Sequence, residues 1–307
     1  MINVVSLSGG RTSAYLAHLM KERDPETEFI FMDTGAEHPK TYEFIRNIFG
    51  HWKIKLTCLR VIPDPKMNKP STYEIVSIDQ IGPDLEPWKR MLRKYGHPYV
   101  GGAFCTDRMK TVPFIKYCDE RFGRGNYMTW LGMRIDEPKR INPKPGIKYL
   151  AEISDFEKQD VIEWWRDQPF DLEIQEHLGN CVFCIKKSLQ KVALATKDEP
   201  LMAEEFSDVV YKSLFERGAR TPRNRGTRNK AYGKPSRLRS NLKISKPLMH
   251  RSKTFLPGII AMFGDIGRDE LASRMTSMRQ YDTGSCSESC EAFGGQIGFD
   301  FNFGDAA

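Results

Sequence analysis

The sequence has no run of about 18 apolar residues, the length that a membrane-spanning helix needs. Its start passes directly into an apolar stretch, without the basic segment that opens a secretion signal. It also lacks the GxxxxGK[ST] loop of the common nucleotide triphosphatases. These absences disfavour membrane and secreted proteins, and we expect a cytoplasmic protein without membrane contact.

The cysteines do not form the regular pattern of a disulfide-rich protein. There are seven, an odd number, at uneven spacing in a chain of 307 residues. This usage is typical of a reducing compartment, where thiols serve metal or redox chemistry. The length is sufficient for one large domain or two.

Acidic residues are absent from residues 217–253, which contain 13 lysines and arginines. The whole chain has a net charge of +7, so the remainder is net acidic. We interpret this segment as an exposed basic arm for a polyanion, with tRNA or DNA as the obvious candidates. A lid over nucleotide phosphates and a plain solvated loop are the alternatives.

Apolar runs and helical spacing alternate along the first half of the chain. This order predicts an α/β fold, a doubly wound parallel sheet of the Rossmann type, over residues 1–170, with an insertion at about 64–99. Residues 171–307 are expected to be mainly helical, with helices at Leu189–Thr196, Leu201–Phe215 and Asp269–Arg279, the basic arm and a flexible tail. The predicted strands are Asn3–Leu7, Phe29–Met32, Lys55–Val61 and Tyr127–Leu131, and the predicted helices include Ser13–Lys21, Thr41–Phe49, Lys110–Arg121 and Asp160–Gln168, the last capped by Ser154 or Asp155.

Small and hydroxyl residues follow the first predicted strand and lead into a helix. Such a turn directs backbone N–H groups and hydroxyls toward one point at the positive end of the helix, where phosphate binds. The candidate nucleotide-binding residues here are Ser6, Ser8, Gly9, Gly10, Thr12 and Ser13.

The second and fourth predicted strands also end in polar residues. Asp33, Thr34 and Gly35 follow one of them, and Asp33 could accept hydrogen bonds from a nucleotide or hold Mg²⁺ together with Glu37. Gly132 and Arg134 follow the other, where an arginine can bind phosphate oxygens. Lys110 could supply a second positive charge.

Four segments resemble the phosphoadenylylsulfate (PAPS) reductase branch of the adenine nucleotide alpha hydrolase superfamily. Ser8–Ser13 resembles its SGGxxS pyrophosphate loop, and Asp33-Thr34-Gly35 with Glu37-His38-Pro39 and Thr41-Tyr42 resembles its second signature. Phe104–Lys110 resembles its CTxxxK segment, and Gly132–Glu137 resembles its GxRxxE segment. The resemblance implies a site for ATP or PAPS, with Mg²⁺ as a companion ion.

The cysteine spacing raises the possibility of a metal. Cys181 and Cys184 form a CxxC pair, which zinc or an iron–sulfur cluster can use, although an unligated thiol pair is also common. Some members of the resembling family hold a four-iron cluster beside the nucleotide, which implies the ligands Cys105, Cys181, Cys184 and Cys290, with Cys286 as an alternative fourth. Zinc is the alternative metal. Cys58 and Cys118 are expected to be buried and inert.

Three functions follow from these features. The first is an enzyme that adenylates a substrate with ATP, releases pyrophosphate near Arg11, Lys110 and Arg134, and transfers sulfur from a donor to a nucleic acid. The second is a PAPS or adenylylsulfate reductase that uses Cys290 and a thiol reductant, although the family's ECGxH-type segment is absent. The third is a nucleic-acid-binding regulator without turnover.

Overall fold

Six strands form one sheet in the part of the chain that the computed structural model describes, residues 1–98, 104–217, 249–250 and 254–278. The strands, in chain order, are β1 (Ile2–Leu7), β2 (Glu28–Asp33), β3 (Leu56–Ile62), β4 (Thr72–Val76), β5 (Tyr127–Leu131) and β6 (Ile147–Tyr149). Their spatial order is β4-β3-β2-β1-β5-β6. All neighbouring pairs are parallel except β3 and β4.

Helices surround this sheet and extend beyond it. They are α1 (Arg11–Arg23), α2 (Pro39–Trp52), α3 (Glu86–Tyr95), α4 (Val112–Phe122), α5 (Lys158–Arg166), α6 (Leu189–Asp198), α7 (Pro200–Arg217), α8 (Leu256–Met262) and α9 (Arg268–Met278). A π-helical turn, Cys105–Thr111, leads directly into α4. No helix in the described ranges has both the length and the apolar character to cross a membrane.

Alternating side chains of the central strands bury both faces of the sheet. Val5 and Phe31 pack with α1, α2 and α5 on one face. Val4 and Ile30 pack with α4 on the other. Continuous burial of β1 and β2 is the expected pattern of parallel strands covered on both sides. The structure therefore confirms the predicted doubly wound α/β fold.

Two strands were not predicted. β4 lies within the expected insertion at residues 64–99 and pairs antiparallel with β3, so the edge of the sheet is not parallel. β6 is a short strand that continues the sheet beyond β5. The side chains of β4 are half-buried or exposed, because an edge strand packs little on its outer side.

Two predicted helix boundaries are wrong. The helix expected from residue 160 begins at Lys158, and its N-cap is Glu157, whose N–H donates to Asp160 at 2.8 Å, rather than Ser154 or Asp155. Ser154 instead accepts a hydrogen bond from the N–H of Phe156. The helices expected at Leu189–Thr196 and Leu201–Phe215 are confirmed as α6 and α7, whereas residues 171–188, assigned to the same helical region, are mostly irregular, with one short 3₁₀ turn at Glu176–Leu178.

The C-terminal helices share an apolar core with the first half of the chain. Side chains of α6, α7, α8 and α9 pack with Ala36, Val61 and residues of α3 in one cluster. The expected domain boundary at residue 170 stays a prediction. Met278 is the last described residue, so the predicted tail lies outside the described part.

Candidate functional site

The loop between β1 and α1 is held by its own hydroxyl groups. The hydroxyl oxygens of Ser8 and Ser13 are 2.9 Å apart, and the Ser8 N–H donates to Ser13 Oγ at 3.1 Å. Gly9 has a φ of +83°, a conformation that favours glycine. Gly10 precedes α1 without a side-chain cap, so the first-turn amides, which have no intrahelical acceptor, suit an anion.

The end of β5 lies against this loop without room for a side chain. A Cβ on Gly132 would lie 2.8 Å from Ser13 Cα and 2.9 Å from Ser13 N. Real Cβ atoms do not approach backbone so closely, because the overlap is strongly repulsive. Two of the segments predicted to bind the nucleotide are therefore in direct contact.

Arg134 brings positive charge to the same loop. Its Nη1 donates to Thr12 Oγ1 at 3.0 Å, and its other nitrogens bind Asp136 at 2.8 and 3.1 Å. Glu137 accepts hydrogen bonds from the backbone N–H of Arg134 and from the Arg140 side chain. The guanidinium is buried and oriented by carboxylates, an arrangement suited to binding phosphate oxygens beside the loop.

The turn after β2 is built around the Asp33 carboxylate. It accepts hydrogen bonds from the N–H of Gly35 at 2.9 Å and the hydroxyl of Tyr42 at 3.1 Å. Arg60, its direct neighbour across the strand pair, donates from Nε at 2.7 Å. The Asp33 carboxylate therefore already accepts three hydrogen bonds within the protein.

Glu37 connects this turn to Lys110. Its carboxylate accepts hydrogen bonds from Thr34 and Tyr42, and the nearest distance to Lys110 Nζ is 3.6 Å. Burial and the two nearby carboxylates raise the pKa of Tyr42 well above its usual value, so its hydroxyl keeps its proton. Lys110 is therefore connected to Asp33 through Glu37 and Tyr42, and a shared role in nucleotide binding stays a prediction.

Burial changes the protonation of Asp33. Together with the neighbouring Glu37 carboxylate, burial raises the pKa of Asp33 from 3.8 to about 6, and Arg60 opposes part of that rise. The folded chain therefore holds a proton on Asp33 at pH values where the unfolded chain has released it. Its contribution to stability is largest below about pH 4 and is lost as the pH rises through about 6.

Replacing Asp33 with asparagine is expected to remove this pH dependence. A rise in pKa from 3.8 to about 6 corresponds to about 3 kcal/mol. Between about pH 4 and pH 7, the free energy of unfolding should fall by about that much more in the wild type than in D33N. Urea unfolding at both pH values measures the difference. E205Q, which changes an exposed carboxylate on α7, should retain the wild-type slope, and a D33N slope equal to that of wild type would contradict the assignment.

The Arg11 side chain is bound to residues 171 and 172 rather than left available for phosphate. Its guanidinium forms two hydrogen bonds with Asp171, at 2.7 and 2.8 Å, and one with the carbonyl oxygen of Leu172. Trp165 donates to the Arg11 carbonyl oxygen at 3.0 Å. Arg11 therefore fixes the start of α1 to residues 171–172, and contact with pyrophosphate stays a prediction.

The backbone near the CxxC pair joins the turn after β2. Cys181 and Glu37 form an isolated antiparallel bridge, and the N–H of Val182 donates to the Ala36 carbonyl oxygen at 3.0 Å. His38 caps α2 and lies 3.0 Å from Glu199 through its Nε2 atom. The CxxC segment is therefore attached to the candidate site.

Three of the expected metal ligands lie in one buried cluster. Cys105, Cys181 and Cys184 all belong to the apolar core that includes Ala36. Within the described residues, however, no group of three or more His, Cys, Asp or Glu side chains is arranged to hold a metal ion. Cys290 and its alternative, Cys286, lie outside the described residues, so the full ligand set stays a prediction.

The other two described cysteines fit the expected inert role. Burial raises the pKa of the Cys58 thiol to about 12 and raises that of Cys118 further. Neither thiol ionises near neutral pH, so neither is a ready nucleophile.

Two predicted features, the position of Ser6 and the basic arm, are not confirmed in the described part of the chain. Ser6 is a buried residue within β1, paired with Ile30, rather than part of the loop. Nearly all of the basic arm, residues 217–253, falls outside the described residues.

The sequence interpretation missed Arg60 and Asp171, and it gave Tyr42 only as part of the second signature. Arg60 carried a usable signal, because a charged residue near the end of a buried strand must find a partner. Asp171 carried none, since 160 residues separate it from Arg11.

Comparison with known proteins agrees with the geometry of these loops. Residues 2–164 match the family model described as the phosphoadenosine phosphosulfate reductase domain. The chain is also 50% identical over 308 residues to "Uncharacterized nin region protein ORF290" of Escherichia phage lambda, and the match covers 98% of each chain.

Proposed function

Because the chain belongs to the phosphoadenosine phosphosulfate reductase domain family, we propose that it is an enzyme that binds ATP and cleaves its α–β phosphate bond. The contact of Gly132 and Arg134 with the Ser8–Ser13 loop carries this proposal. This contact brings together the uncapped backbone amides at the start of α1, small hydroxyl side chains and a buried guanidinium. Such a place suits the pyrophosphate part of a nucleotide.

The proposed reaction begins with adenylation of a substrate oxygen. That oxygen attacks the α-phosphorus, the bond to the β-phosphate oxygen breaks, and pyrophosphate leaves with the electron pair. The first-turn amides of α1 and Arg134 stabilise the charge that develops on pyrophosphate. Lys110, held near Glu37, would neutralise charge on the nucleotide side, and Arg11 would do so only by exchanging its bonds to Asp171.

The second step proposed is sulfur transfer. Hydrosulfide supplied by a separate donor forms a bond to the activated atom of the acceptor and loses its proton to solvent, while AMP leaves with the oxygen and the electron pair of the broken bond. A nucleic acid, tRNA or DNA, is the acceptor that the basic segment favours.

Metal ions enter the proposal only with the nucleotide. Mg²⁺ usually binds phosphate oxygens and water with one or two carboxylates. Asp33 and Glu37 could provide these, although both already accept several hydrogen bonds. Cys105, Cys181, Cys184 and Cys290 stay the expected ligands of an iron–sulfur cluster or zinc, and none of the proposed steps depends on that group.

Pyrophosphate release from ATP tests the proposal. Replacing Ser8 and Ser13 together with alanine should lower the rate by about 100-fold, because the loop loses the hydrogen bonds that orient its amides. The matched control replaces Ser77 and Ser207, which lie outside the loop, and should retain the wild-type rate. Equal rates in both double variants would contradict the site.

Reduction of PAPS is the second candidate, and the family description favours it. It predicts that sulfite forms from PAPS with a thiol reductant and that C290S abolishes this. Sulfite from PAPS without any pyrophosphate from ATP would replace the first proposal with this one.

A further inference from the structure

Three separate segments meet at the ring of Tyr95, the last residue of α3. Lys94 Nζ lies 4.9 Å from the ring centroid and donates to the Lys69 carbonyl oxygen at 2.9 Å. The guanidinium carbon of Arg108, from the π-helical turn, lies 4.3 Å from the same centroid. Exposed basic residues adjoin these contacts in the chain: Arg93 precedes Lys94, and the N–H of Lys69 donates to the Lys66 carbonyl oxygen at 3.1 Å. We call Tyr95, Lys66, Lys69, Arg93, Lys94 and Arg108 together the Tyr95 surface.

This surface is positively charged and largely open to solvent. Lys66, Lys69, Arg93 and Arg108 are exposed, and within the described ranges no carboxylate forms an ion pair with any of them. Two carboxylates are near these residues: Asp107, whose pKa burial raises and Arg108 lowers in part, and Asp64, which accepts a hydrogen bond from the N–H of Lys66 at 2.7 Å. The basic residues outnumber these two, so the surface keeps a net positive charge that favours an anionic partner.

The Tyr95 surface borders the candidate nucleotide site. Arg108 lies in the same π-helical turn as Lys110, which is 3.6 Å from Glu37. The other end of α3 contacts the turn after β2, where the N–H of Leu85 donates to the Gly35 carbonyl oxygen at 3.0 Å. A strand bound along α3 would thus extend toward the place where ATP is cleaved.

We propose that the Tyr95 surface binds single-stranded nucleic acid. Lys66, Lys69 and Arg93 would contact successive phosphates. A guanidinium over an aromatic ring offers a flat, cationic face on which a base stacks, and Arg108 over Tyr95 has that arrangement. Met67, with 62% of its surface exposed, adds apolar contact area beside the lysines. Single strands are favoured over duplexes because their bases are free to stack.

The inference that this surface binds the acceptor rests on the proposed function. Binding of nucleic acid can nevertheless be measured without any turnover of ATP. The full chain is titrated against fluorescent single-stranded DNA and RNA, duplex DNA, and vesicles rich in phosphatidylserine, over a range of salt concentrations. The test variant is K66Q/K69Q/R93Q. The control is K53Q/R121Q/R124Q, which removes three exposed charges from segments that precede β3 and β5, whereas Lys66 and Lys69 follow β3.

The test triple should weaken single-strand binding at least about tenfold and lower the salt slope by about 2, since each phosphate that is no longer neutralised reduces the slope by about 0.7. Y95L should weaken binding about tenfold without changing the slope, because it removes the ring that holds the Arg108 guanidinium in place for stacking and removes no charge. The control triple should bind nearly as the wild type does.

Three results would overturn the proposal. The first is that the test and control triple variants weaken single-strand binding equally. The second is that the wild type binds duplex DNA more tightly than single strands. The third is that the test triple variant loses binding to vesicles but keeps binding to single strands. Basal pyrophosphate release from ATP should be unchanged in the test triple. Normal binding with no pyrophosphate release in the wild type would refute the proposed function and leave this surface standing.

Discussion

Alanine at position 132 is expected to reduce pyrophosphate release from ATP by about 100-fold, since misplacing reacting groups by about 1 Å has effects of this size. The added Cβ would lie 2.8 Å from Ser13 Cα, so β5 and the start of α1 must move apart. The atoms in conflict belong to backbone rather than to a flexible side chain. The rate is measured at saturating ATP, with circular dichroism to confirm folding.

A second glycine provides the control for G132A. Gly50 lies in α2, and a Cβ there would meet nothing within 4 Å. G50A should retain the rate and raise the free energy of unfolding by about 0.5–1 kcal/mol, because alanine favours the helix. A folded G132A with the wild-type rate would show that this contact does not shape the active loop.

Replacing Arg60 with leucine should lower the free energy of unfolding by about 3–5 kcal/mol at neutral pH, the usual effect of leaving a buried charge without its partner. Arg60 donates to Asp33 at 2.7 Å and to the Gln80 carbonyl oxygen at 2.9 Å, and it lies 2.8 Å from Asp84. The variant leaves the Asp33 carboxylate buried with one fewer donor. Urea unfolding at pH 7 measures the loss.

Two further variants test the physical reason. R90L breaks a more exposed ion pair with Glu74 and should cost at most about 1 kcal/mol. The double variant R60L/D33N removes the buried charge as well, and it should be more stable than R60L alone. If R90L proved as damaging as R60L, loss of packing rather than charge would explain both.

Much of the sheet could be predicted because its central strands are continuous apolar runs. β1, β2, β3 and β5 were placed to within a few residues for that reason. β4 was missed because its side chains are half-exposed and it lies between prolines, so neither alternation nor apolarity marked it. Pairing with β3, a non-local interaction, makes it a strand.

The site was predictable where neighbouring residues in sequence create it. The Ser8–Ser13 loop and the Asp33 turn each follow a strand, which places both at the same edge of a parallel sheet. Arg60 and Tyr42 required the register between strands and the packing of α2. The irregular path of residues 171–188 could not be read from helical propensity, because backbone pairing with residues 36 and 37 determines it.

That backbone pairing limits how this protein can exchange parts with a relative. Because Val182 donates to Ala36 and Cys181 bridges Glu37 through main-chain atoms, the two segments must match in length and path rather than in side-chain identity. A hybrid that joins the first half of one homologue to the second half of another must inherit both segments with compatible geometry. Crossovers between residues 37 and 181 would separate them, so viable recombinants should be sparse in that interval.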